Sequence, residues 1–130
     1  MATAAGKTRK KTATRSAAPV RASAPAATVA PALSIENHRL VGPGVTFVET
    51  PNKGGDLAPQ YLVLHYTAGK SAQSSINWLT NAESKASAHV VLGRDGAICQ
   101  LAPFNVKTWH AGVSHWDGLS GLNSYSIGIE

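Results

Sequence analysis

The 130-residue chain contains a single cysteine, Cys99, so no disulfide bond can form within it. This excludes the small secreted folds that depend on several disulfide bridges. Long apolar runs are also missing, because no segment approaches the roughly 20 apolar residues that a membrane-spanning helix needs. Proline and arginine residues interrupt every apolar stretch near the N-terminus, which argues against a secretory signal. We therefore expect no membrane span, with the cytoplasm as the default location.

Acidic and aromatic residues are absent from the first 34 positions, which hold six of the 12 basic residues. From position 35 onward six basic residues face seven acidic ones, so the formal net charge of +5 comes from the N-terminal part. A segment rich in alanine, threonine and proline, without aromatic residues, cannot bury enough surface to offset the entropy of ordering. We predict a disordered basic arm at residues 1–34 and one small domain at residues 35–130.

The charge of this arm leaves two roles open. Lysine and arginine side chains can hold a nucleic acid or another anionic polymer through charge alone. No aromatic residue separates the basic ones, and no element could read bases, so no specific nucleic-acid partner is expected. A solvated linker is the role that the composition favours. A protein that acts through its arm would lose its function when residues 1–34 are removed.

Two segments after the arm carry the periodicity of regular structure. Residues 60–66 are rich in tyrosine, valine and leucine and apolar on both faces, which predicts a central strand covered on two sides. Residues 71–80 place Ala72, Ile76 and Leu79 on one stripe, which predicts a short amphipathic helix.

Other segments are shorter or irregular. The apolar runs 88–93 and 97–101 flank an Asp-Gly pair, which predicts a hairpin. Cys99 lies within it, in the setting of an inert buried thiol rather than the nucleophile of a Cys/His peptidase. Residues 104–121 lack periodicity and are interpreted as a loop that lines a site. A final strand is predicted to begin at residue 126.

Two of the predicted strands deliver side chains that can carry chemistry. The run LVLHYTAG, residues 62–69, delivers His65 to a point where the sequence turns small and flexible, which suits a metal ligand with room for a substrate beside it. The run SIGIE delivers Glu130 in the same way. By residue type alone, a hydrogen-bonded core histidine and a solvated carboxylate remain the alternatives.

Residues 109–112 read WHAG, and His115 follows closely. Aromatic faces stack on sugar rings and a histidine can hydrogen-bond a carbonyl group, so this block is a candidate substrate contact. A competing hypothesis is that His110 and His115 complete a zinc site with His65.

Four blocks occur in the order LVLHYTAG, SAHVVLGRDGAICQLAP, WHAGVS and LNSYSIGIE. In this order they resemble the signature of the type 2 N-acetylmuramoyl-L-alanine amidases, zinc-dependent enzymes related to the peptidoglycan recognition proteins. The similarity runs from about residue 40 to Glu130. It implies a mixed α/β domain, with a central mixed β-sheet flanked by helices, that hydrolyses the amide bond between N-acetylmuramic acid and L-alanine.

The resemblance also implies roles for individual residues. The histidine of the first block is the first zinc ligand of the family, which corresponds to His65. The glutamate of the IGIE block is the catalytic acid/base in one branch, which corresponds to Glu130. Other members use a tyrosine before the histidine of the SAH block, where this chain has Ala88. The implied substrate-binding residues are Trp109, His110 and Asn123, and Asn123 is also a candidate brace for the cleft.

In the family the second and third zinc ligands, a His and then an Asp or Cys, follow the IGIE block, and these 130 residues contain no counterpart. We therefore expect that the C-terminal part of the domain is missing, that the chain alone is an inactive fragment, and that apolar sheet surface is uncovered. Peptidoglycan or a soluble muropeptide is the expected partner of a monomer, with release to the cell wall on lysis possible. The alternative function is a non-catalytic peptidoglycan-binding module, against which Glu130 argues.

Overall fold

The computed structural model describes residues 32–130. Within these residues, two 3₁₀ helices, Ala82–Ser84 and Leu122–Ser124, accompany one α-helix, α1, at Ala72–Leu79. The strands, in chain order, are β1 (Ser34–Glu36), β2 (Arg39–Val41), β3 (Val45–Phe47), β4 (Lys53–Asp56), β5 (Tyr61–Leu64), β6 (Val90–Leu92), β7 (Ile98–Gln100), β8 (Val106–Thr108), β9 (His115–Trp116), β10 (Leu119–Ser120) and β11 (Ser126–Ile129). Residues 1–31 of the predicted disordered arm lie outside the described residues.

A five-stranded mixed sheet with the strand order β3-β7-β6-β11-β5 forms the centre of the fold. β11 is parallel to both of its neighbours, β3 is parallel to β7, and β6 and β7 form an antiparallel hairpin. Three two-stranded pairs, β1-β2, β4-β8 and β9-β10, surround this sheet. The mixed sheet with its helix confirms the predicted fold class.

The β6-β7 hairpin forms where the Asp-Gly pair predicted it. Gly96 has a φ of +85°, a conformation that costs a glycine little, and the Asp95 carboxylate accepts a hydrogen bond from the Ala97 N–H at 3.1 Å. Cys99 lies in β7 and is 5% exposed, which confirms the prediction of a buried thiol.

Helix α1 begins and packs as its sequence predicts. Ser71 caps the N-terminus, because its hydroxyl accepts from the Ser74 N–H at 3.1 Å while the Ser74 hydroxyl accepts from the Ser71 N–H at 3.2 Å. The predicted apolar stripe packs against the buried core. The members of this core are Leu79, Ala88, Val91, Cys99 and Leu101. No helix in the described part of the chain is long and apolar enough to cross a membrane.

β5 was predicted to be a central strand covered on both faces, and this prediction is wrong. β5 forms one edge of the sheet, and Leu62 and Leu64 are 68% and 77% exposed. Alternate side chains at Tyr61 and Val63 are half-buried, so only one face of the strand is covered. A run of apolar residues indicates that both faces of a strand can be buried, but it does not specify which element covers each face.

The uncovered face belongs to a larger apolar surface, as expected from the sequence. A cavity of about 430 Å³ on this surface has an entirely apolar wall. Its wall is formed by Ile35, Leu40, Pro59, Leu62, Val90, Leu92, Ile98, Phe104, Ile127 and Ile129. Helix α1 packs with the core on the other side of β6, so the described residues leave this face open.

The interpretation of residues 104–121 as an irregular loop is also incomplete. β8 pairs antiparallel with β4, with Lys53 opposite Thr108 and Asp56 opposite Val106. β9 and β10 pair with each other in a hairpin. β8, β9 and β10 are only two or three residues long, and β8 pairs with the KGGD segment of β4. No alternation of apolar and polar side chains therefore marks these strands in the sequence.

A buried polar side chain, Asn52, ties the segment after α1 to the rest of the domain. Asn52 is 2% exposed, and its amide nitrogen donates to Asn81 O at 2.8 Å, to Ser84 Oγ at 3.0 Å and to Ala86 O at 2.8 Å. The Ser87 hydroxyl donates in turn to the Asn52 carbonyl group. The Asn52 side chain thus satisfies hydrogen-bond acceptors in the connection between α1 and β6.

We predict that Asn52→Ala lowers the free energy of unfolding by about 2–3 kcal/mol, because buried acceptors lose their donor. Urea denaturation of the purified chain measures this difference. Asn77→Ala is the matched control, since the exposed Asn77 contacts only Gln73 on the surface of α1, and its effect should stay within about 0.5 kcal/mol. Equal effects of the two substitutions would contradict the structural role of Asn52.

Candidate active site

The ends of β5 and β11 bring the two principal candidate residues to the same edge of the sheet. These strands are parallel neighbours, so His65 and Glu130, each the next residue after its strand, emerge on one side. The His65 N–H donates to Ile129 O at 2.7 Å. The Glu130 N–H donates to Val90 O at 2.9 Å, and its carbonyl accepts from the Leu92 N–H at 2.7 Å. Sheet pairing therefore fixes the backbone of both residues.

His65 is in direct contact with His110. The His65 Nε2 atom lies 2.9 Å from His110 Nδ1, and the two rings meet edge to face with centroids 5.1 Å apart. His115, the third histidine of the competing zinc hypothesis, lies in β9, where its Nδ1 is 3.0 Å from Ser120 Oγ. The structure thus joins two of the three histidines and keeps the third in another hydrogen bond.

Ser126 sets the orientation and protonation of the His110 ring. The Ser126 hydroxyl donates to Leu122 O at 2.6 Å, so its oxygen is an acceptor for His110 Nε2 at 3.1 Å, and the Ser126 carbonyl lies 3.3 Å from the same nitrogen. Two acceptors place the proton on Nε2 and leave the lone pair of Nδ1 directed at His65. Burial lowers the pKa of His110 to about 4, against the opposing hydrogen bond to Ser126, so the ring is neutral at pH 7.

The distance between the two rings bears on the zinc ion that the resemblance implies. Two nitrogen ligands of one tetrahedral zinc, each about 2.0–2.1 Å from the metal, would lie about 3.3 Å apart. The observed 2.9 Å is the length of a hydrogen bond from His65 Nε2–H to His110 Nδ1. Within residues 32–130 no three His, Cys, Asp or Glu side chains are grouped to hold a metal ion. The three-histidine hypothesis is therefore wrong, and the described residues do not complete a zinc site.

Gly128, in the middle of β11, makes room for the His110 ring. A Cβ atom at this position would lie 2.7 Å from both Cβ and Nδ1 of His110 and would also overlap Cγ. Any side chain would therefore displace the ring, because Cβ contacts below 3.0 Å essentially do not occur. A glycine inside a strand indicates close approach by another group, and this signal in SIGIE was available from the sequence.

Asn123 holds the loop that carries His110. Its Oδ1 atom accepts from the His110 N–H at 2.9 Å and from the Ala111 N–H at 2.8 Å. Asn123 therefore braces the loop at residues 110–111 beside the cleft, which is one of its two expected roles. Its predicted contact with substrate stays a prediction.

Trp109 is fixed to the core side of the site through its backbone. The Trp109 N–H donates to Ser87 Oγ at 2.9 Å, and the Ser87 N–H donates to Trp109 O at 2.9 Å. Its indole is 36% exposed, and its predicted contact with substrate also stays a prediction.

His89 lies behind the pair and is fully buried. Its Nδ1 accepts from the Gly128 N–H at 3.1 Å and from the Thr108 hydroxyl at 3.0 Å, so Nε2 carries the proton that it donates to Val106 O at 2.8 Å. Burial lowers the pKa of His89, with the Val106 hydrogen bond opposing the shift. These contacts make His89 a packed residue of the core, and they keep its ring neutral.

We predict that the domain loses stability as the pH falls below about 6.5, the ordinary pKa of histidine. In this pH range His89 and His110 bind protons in the unfolded chain but stay neutral in the folded chain. The stabilisation that comes from this difference is complete above pH 6.5 and is lost as the pH falls toward the lower pKa values of the folded state. His89→Gln should cost about 1–3 kcal/mol at pH 7.5 and should flatten the acid-side slope. Thermal unfolding between pH 4.5 and 7.5 measures both effects, and an unchanged slope would contradict the assignment.

A cavity of about 300 Å³ opens beside Glu130. The segment Thr67–Gly69, which follows His65, forms one part of its wall, and the indole of Trp78 forms another. Trp78 was not identified from the sequence. The available signal was its position off the apolar stripe of α1, and in the fold Trp78 is 59% exposed.

Known proteins are similar in sequence to this chain over part of their length. The chain is 49% identical over 49 residues to the 1,6-anhydro-N-acetylmuramyl-L-alanine amidase AmpD of Escherichia coli (strain K12), a match that covers 38% of this chain and 27% of that protein. It is 40% identical over 76 residues to the N-acetylmuramoyl-L-alanine amidase AmiD of the same organism, covering 53% of this chain and 26% of AmiD. The matches thus span about a quarter of these curated relatives.

Solved structures match a larger share of the fold. The crystal structure of the selenomethionine derivative of AmpD superposes with a TM-score of 0.59 at 27% identity, over 74% of this chain and 64% of that chain. The catalytic domain of XlyA gives a TM-score of 0.53 at 31% identity, over 65% of this chain and 58% of that one. The family model for N-acetylmuramoyl-L-alanine amidase matches residues 55–130, which include both strand ends and the His110 loop. The chain belongs to the N-acetylmuramoyl-L-alanine amidase family.

Proposed function

We propose that the cleft between the ends of β5 and β11 serves the hydrolysis of the amide bond between N-acetylmuramic acid and L-alanine, in peptidoglycan or in soluble muropeptides. The observation that carries this proposal is the parallel pairing of β5 with β11, which brings His65 and Glu130 to one edge of the sheet. Family membership supports the same reaction, since AmpD and AmiD are both named as amidases of this bond.

Glu130 is the proposed acid/base. Glu130 lines the cavity beside the Thr67–Gly69 segment, so a substrate that enters this cavity meets its carboxylate. A carboxylate in this position can take a proton from the attacking water and return it to the departing amine. The neutral His110 ring, held by Ser126, accepts the hydrogen bond from His65 and adds no charge beside it.

His65 is the proposed zinc ligand. Bound zinc would polarise the scissile carbonyl group and lower the pKa of a bound water to about 7. A catalytic zinc site normally has three protein ligands, and the described residues bring only one proposed ligand to the site. We therefore propose that the 130-residue chain binds a muropeptide and needs further ligands for turnover.

One observation favours a second candidate. The incomplete set of metal ligands among residues 32–130 is what a non-catalytic peptidoglycan-binding module would have. Such a module would bind muropeptides in the same cleft without cleaving them in any form of the protein. Glu130 would then be dispensable, whereas it is essential to the amidase.

The experiment compares the 130-residue chain with a form extended past residue 130 by a segment that carries the proposed further zinc ligands, called the full product. Zinc content is measured by elemental analysis after equilibrium dialysis, and release of the stem peptide from N-acetylmuramyl-L-alanyl peptides is followed by mass spectrometry. We expect less than one zinc and no turnover from the 130-residue chain. The full product should bind one zinc and should lose turnover on His65→Ala. Undiminished turnover of that variant would overturn the proposal, and absence of turnover with tight muropeptide binding would favour the binding module.

A further inference from the structure

Two adjoining cavities follow helix α1 along one side of the proposed active site. The first, called the Trp78 cavity, has a volume of about 300 Å³ and is bounded by Trp78, Glu130 and the Thr67–Gly69 segment. The second, called the Lys70 cavity, has a volume of about 400 Å³ and includes Lys70 and Arg94. Both volumes lie in the range of ligand pockets, roughly 300–1,000 Å³. The two cavities share Thr67, Gly69 and Ser75, so one ligand can extend from one into the other.

The wall of the Trp78 cavity offers the flat aromatic face of an indole. The indole is 59% exposed. Two serine hydroxyls in the wall are already engaged, since Ser74 Oγ and Ser75 Oγ donate to Ser71 O at 2.7 and 3.3 Å. The only charged residue in the wall is Glu130. This surface suits an uncharged ring that stacks on the indole, and it disfavours an anionic group.

The Lys70 cavity has the opposite character. Lys70 and Arg94 contribute two positive charges, and Asp95 contributes one negative charge, so the wall is net positive. The Asp95 carboxylate is already used, because Oδ1 accepts from the Ala97 N–H within the hairpin turn. Exposed lysine and arginine side chains in such a wall favour carboxylates of a ligand.

We propose that the substrate lies along α1 in one direction, with its muramyl ring against Trp78 and its stem peptide directed toward Lys70 and Arg94. This inference rests on the proposed function, because the substrate class supplies both chemistries. The muramyl ring is an uncharged sugar joined through its lactyl group to the scissile amide, and the stem peptide carries the carboxylates of its second residue, D-glutamate. Trp78 is therefore a residue that determines specificity for the sugar end.

The sugar end is tested by calorimetric titration of the full 130-residue chain with the uncharged methylamide of N-acetylmuramic acid, with N-acetylmuramyl-L-alanyl-D-glutamate and with the sugar-free dipeptide L-alanyl-D-glutamate. Trp78→Ala should raise the Kd of both muramyl ligands roughly 3–10-fold and leave that of the dipeptide unchanged. Trp78→Phe should restore most of the affinity, because it keeps an aromatic face. Because Trp78 is exposed, its variants should still fold, and circular dichroism checks this.

The peptide end is tested with two ligands that differ by one charge, N-acetylmuramyl-L-alanyl-D-glutamate and its D-isoglutamine analogue. The double variant Lys70→Ala/Arg94→Ala should weaken the first ligand about 3–10-fold at low salt and the second less. Lys107→Ala is the charge control, because Lys107 lies in β8, outside both cavities. It should leave both Kd values unchanged.

The outcomes separate this inference from the function on which it rests. If muramyl ligands bind but Trp78→Ala leaves their Kd within twofold, or weakens only the dipeptide, the orientation is overturned and the amidase proposal stands. Equal responses of the two charge-paired ligands to the double variant would also overturn it. If no muramyl ligand binds or is cleaved by any form of the protein, the proposed function fails and the inference fails with it.

Discussion

Glu130→Gln is expected to lower amidase turnover about 10²–10⁴-fold in the full product, which is the usual contribution of a general acid/base. Glutamine has nearly the same size as glutamate and keeps the sheet pairing of the backbone, but its amide cannot exchange the proton. Because the loss concerns the reaction and not binding, kcat should fall while the Kd for a muropeptide stays within a few-fold. Steady-state kinetics and calorimetric titration of the same preparation measure the two quantities.

A second glutamate provides the control for Glu130. Glu49 is exposed, pairs with Lys53 at 3.1 Å and lies between β3 and β4, away from the cleft. Glu49→Gln should leave turnover unchanged, since an exposed pair of this kind contributes little. A Glu130→Gln enzyme that keeps more than a tenth of parental turnover would refute the acid/base assignment.

Gly128→Ala is expected to destabilise the fold by about 1–3 kcal/mol, the usual cost of overpacking, and to break the contact between His110 and His65. The added methyl group would overlap the His110 ring, which cannot retreat without leaving its hydrogen bonds to Ser126. Denaturant unfolding measures the stability, and the imidazole resonances in NMR spectra report the position of the ring. Zinc affinity and turnover of the full product should fall as well.

Two variants show whether the His110 ring is the cause. Gly54→Ala adds the same methyl group at a strand glycine with no atom within 4 Å, so its effect should stay within about 0.5 kcal/mol. In the double variant Gly128→Ala/His110→Ala the overlap is gone, and the two substitutions should be non-additive by more than 0.5 kcal/mol. Additive effects would show that Gly128 is required for another reason.

Local signals predicted the elements whose partners are close in the chain. The Asp95-Gly96 turn and its two apolar runs sufficed for the β6-β7 hairpin, and the spacing of Ala72, Ile76 and Leu79 sufficed for α1. The pairing of β4 with β8 joins residues about 50 positions apart through backbone groups, which leave no side-chain pattern. For the same reason the sequence could not show that β5 lies at the sheet edge.

The site was predictable to the extent that strand ends carry it. His65 and Glu130 each follow an apolar run, the resemblance to the amidases singled them out, and a parallel pairing of those runs brings them together. The hydrogen bond between His65 and His110 depends on where an irregular loop passes, and the brace from Asn123 depends on the same loop. The sequence did not identify Trp78, because only the folded helix shows that its exposed ring borders the cavity beside Glu130.

The place of β11 in the sheet has a consequence for biosynthesis. β11 is the last strand among the described residues, yet it lies between β5 and β6 and joins them into one sheet. Until residues 126–129 have left the ribosome, β11 cannot join β5 to the β6-β7 hairpin, and closure of the sheet awaits these long-range pairings. A chain whose translation stalls before residue 126 would expose apolar strands to chaperones and would lack the pairing that places His65.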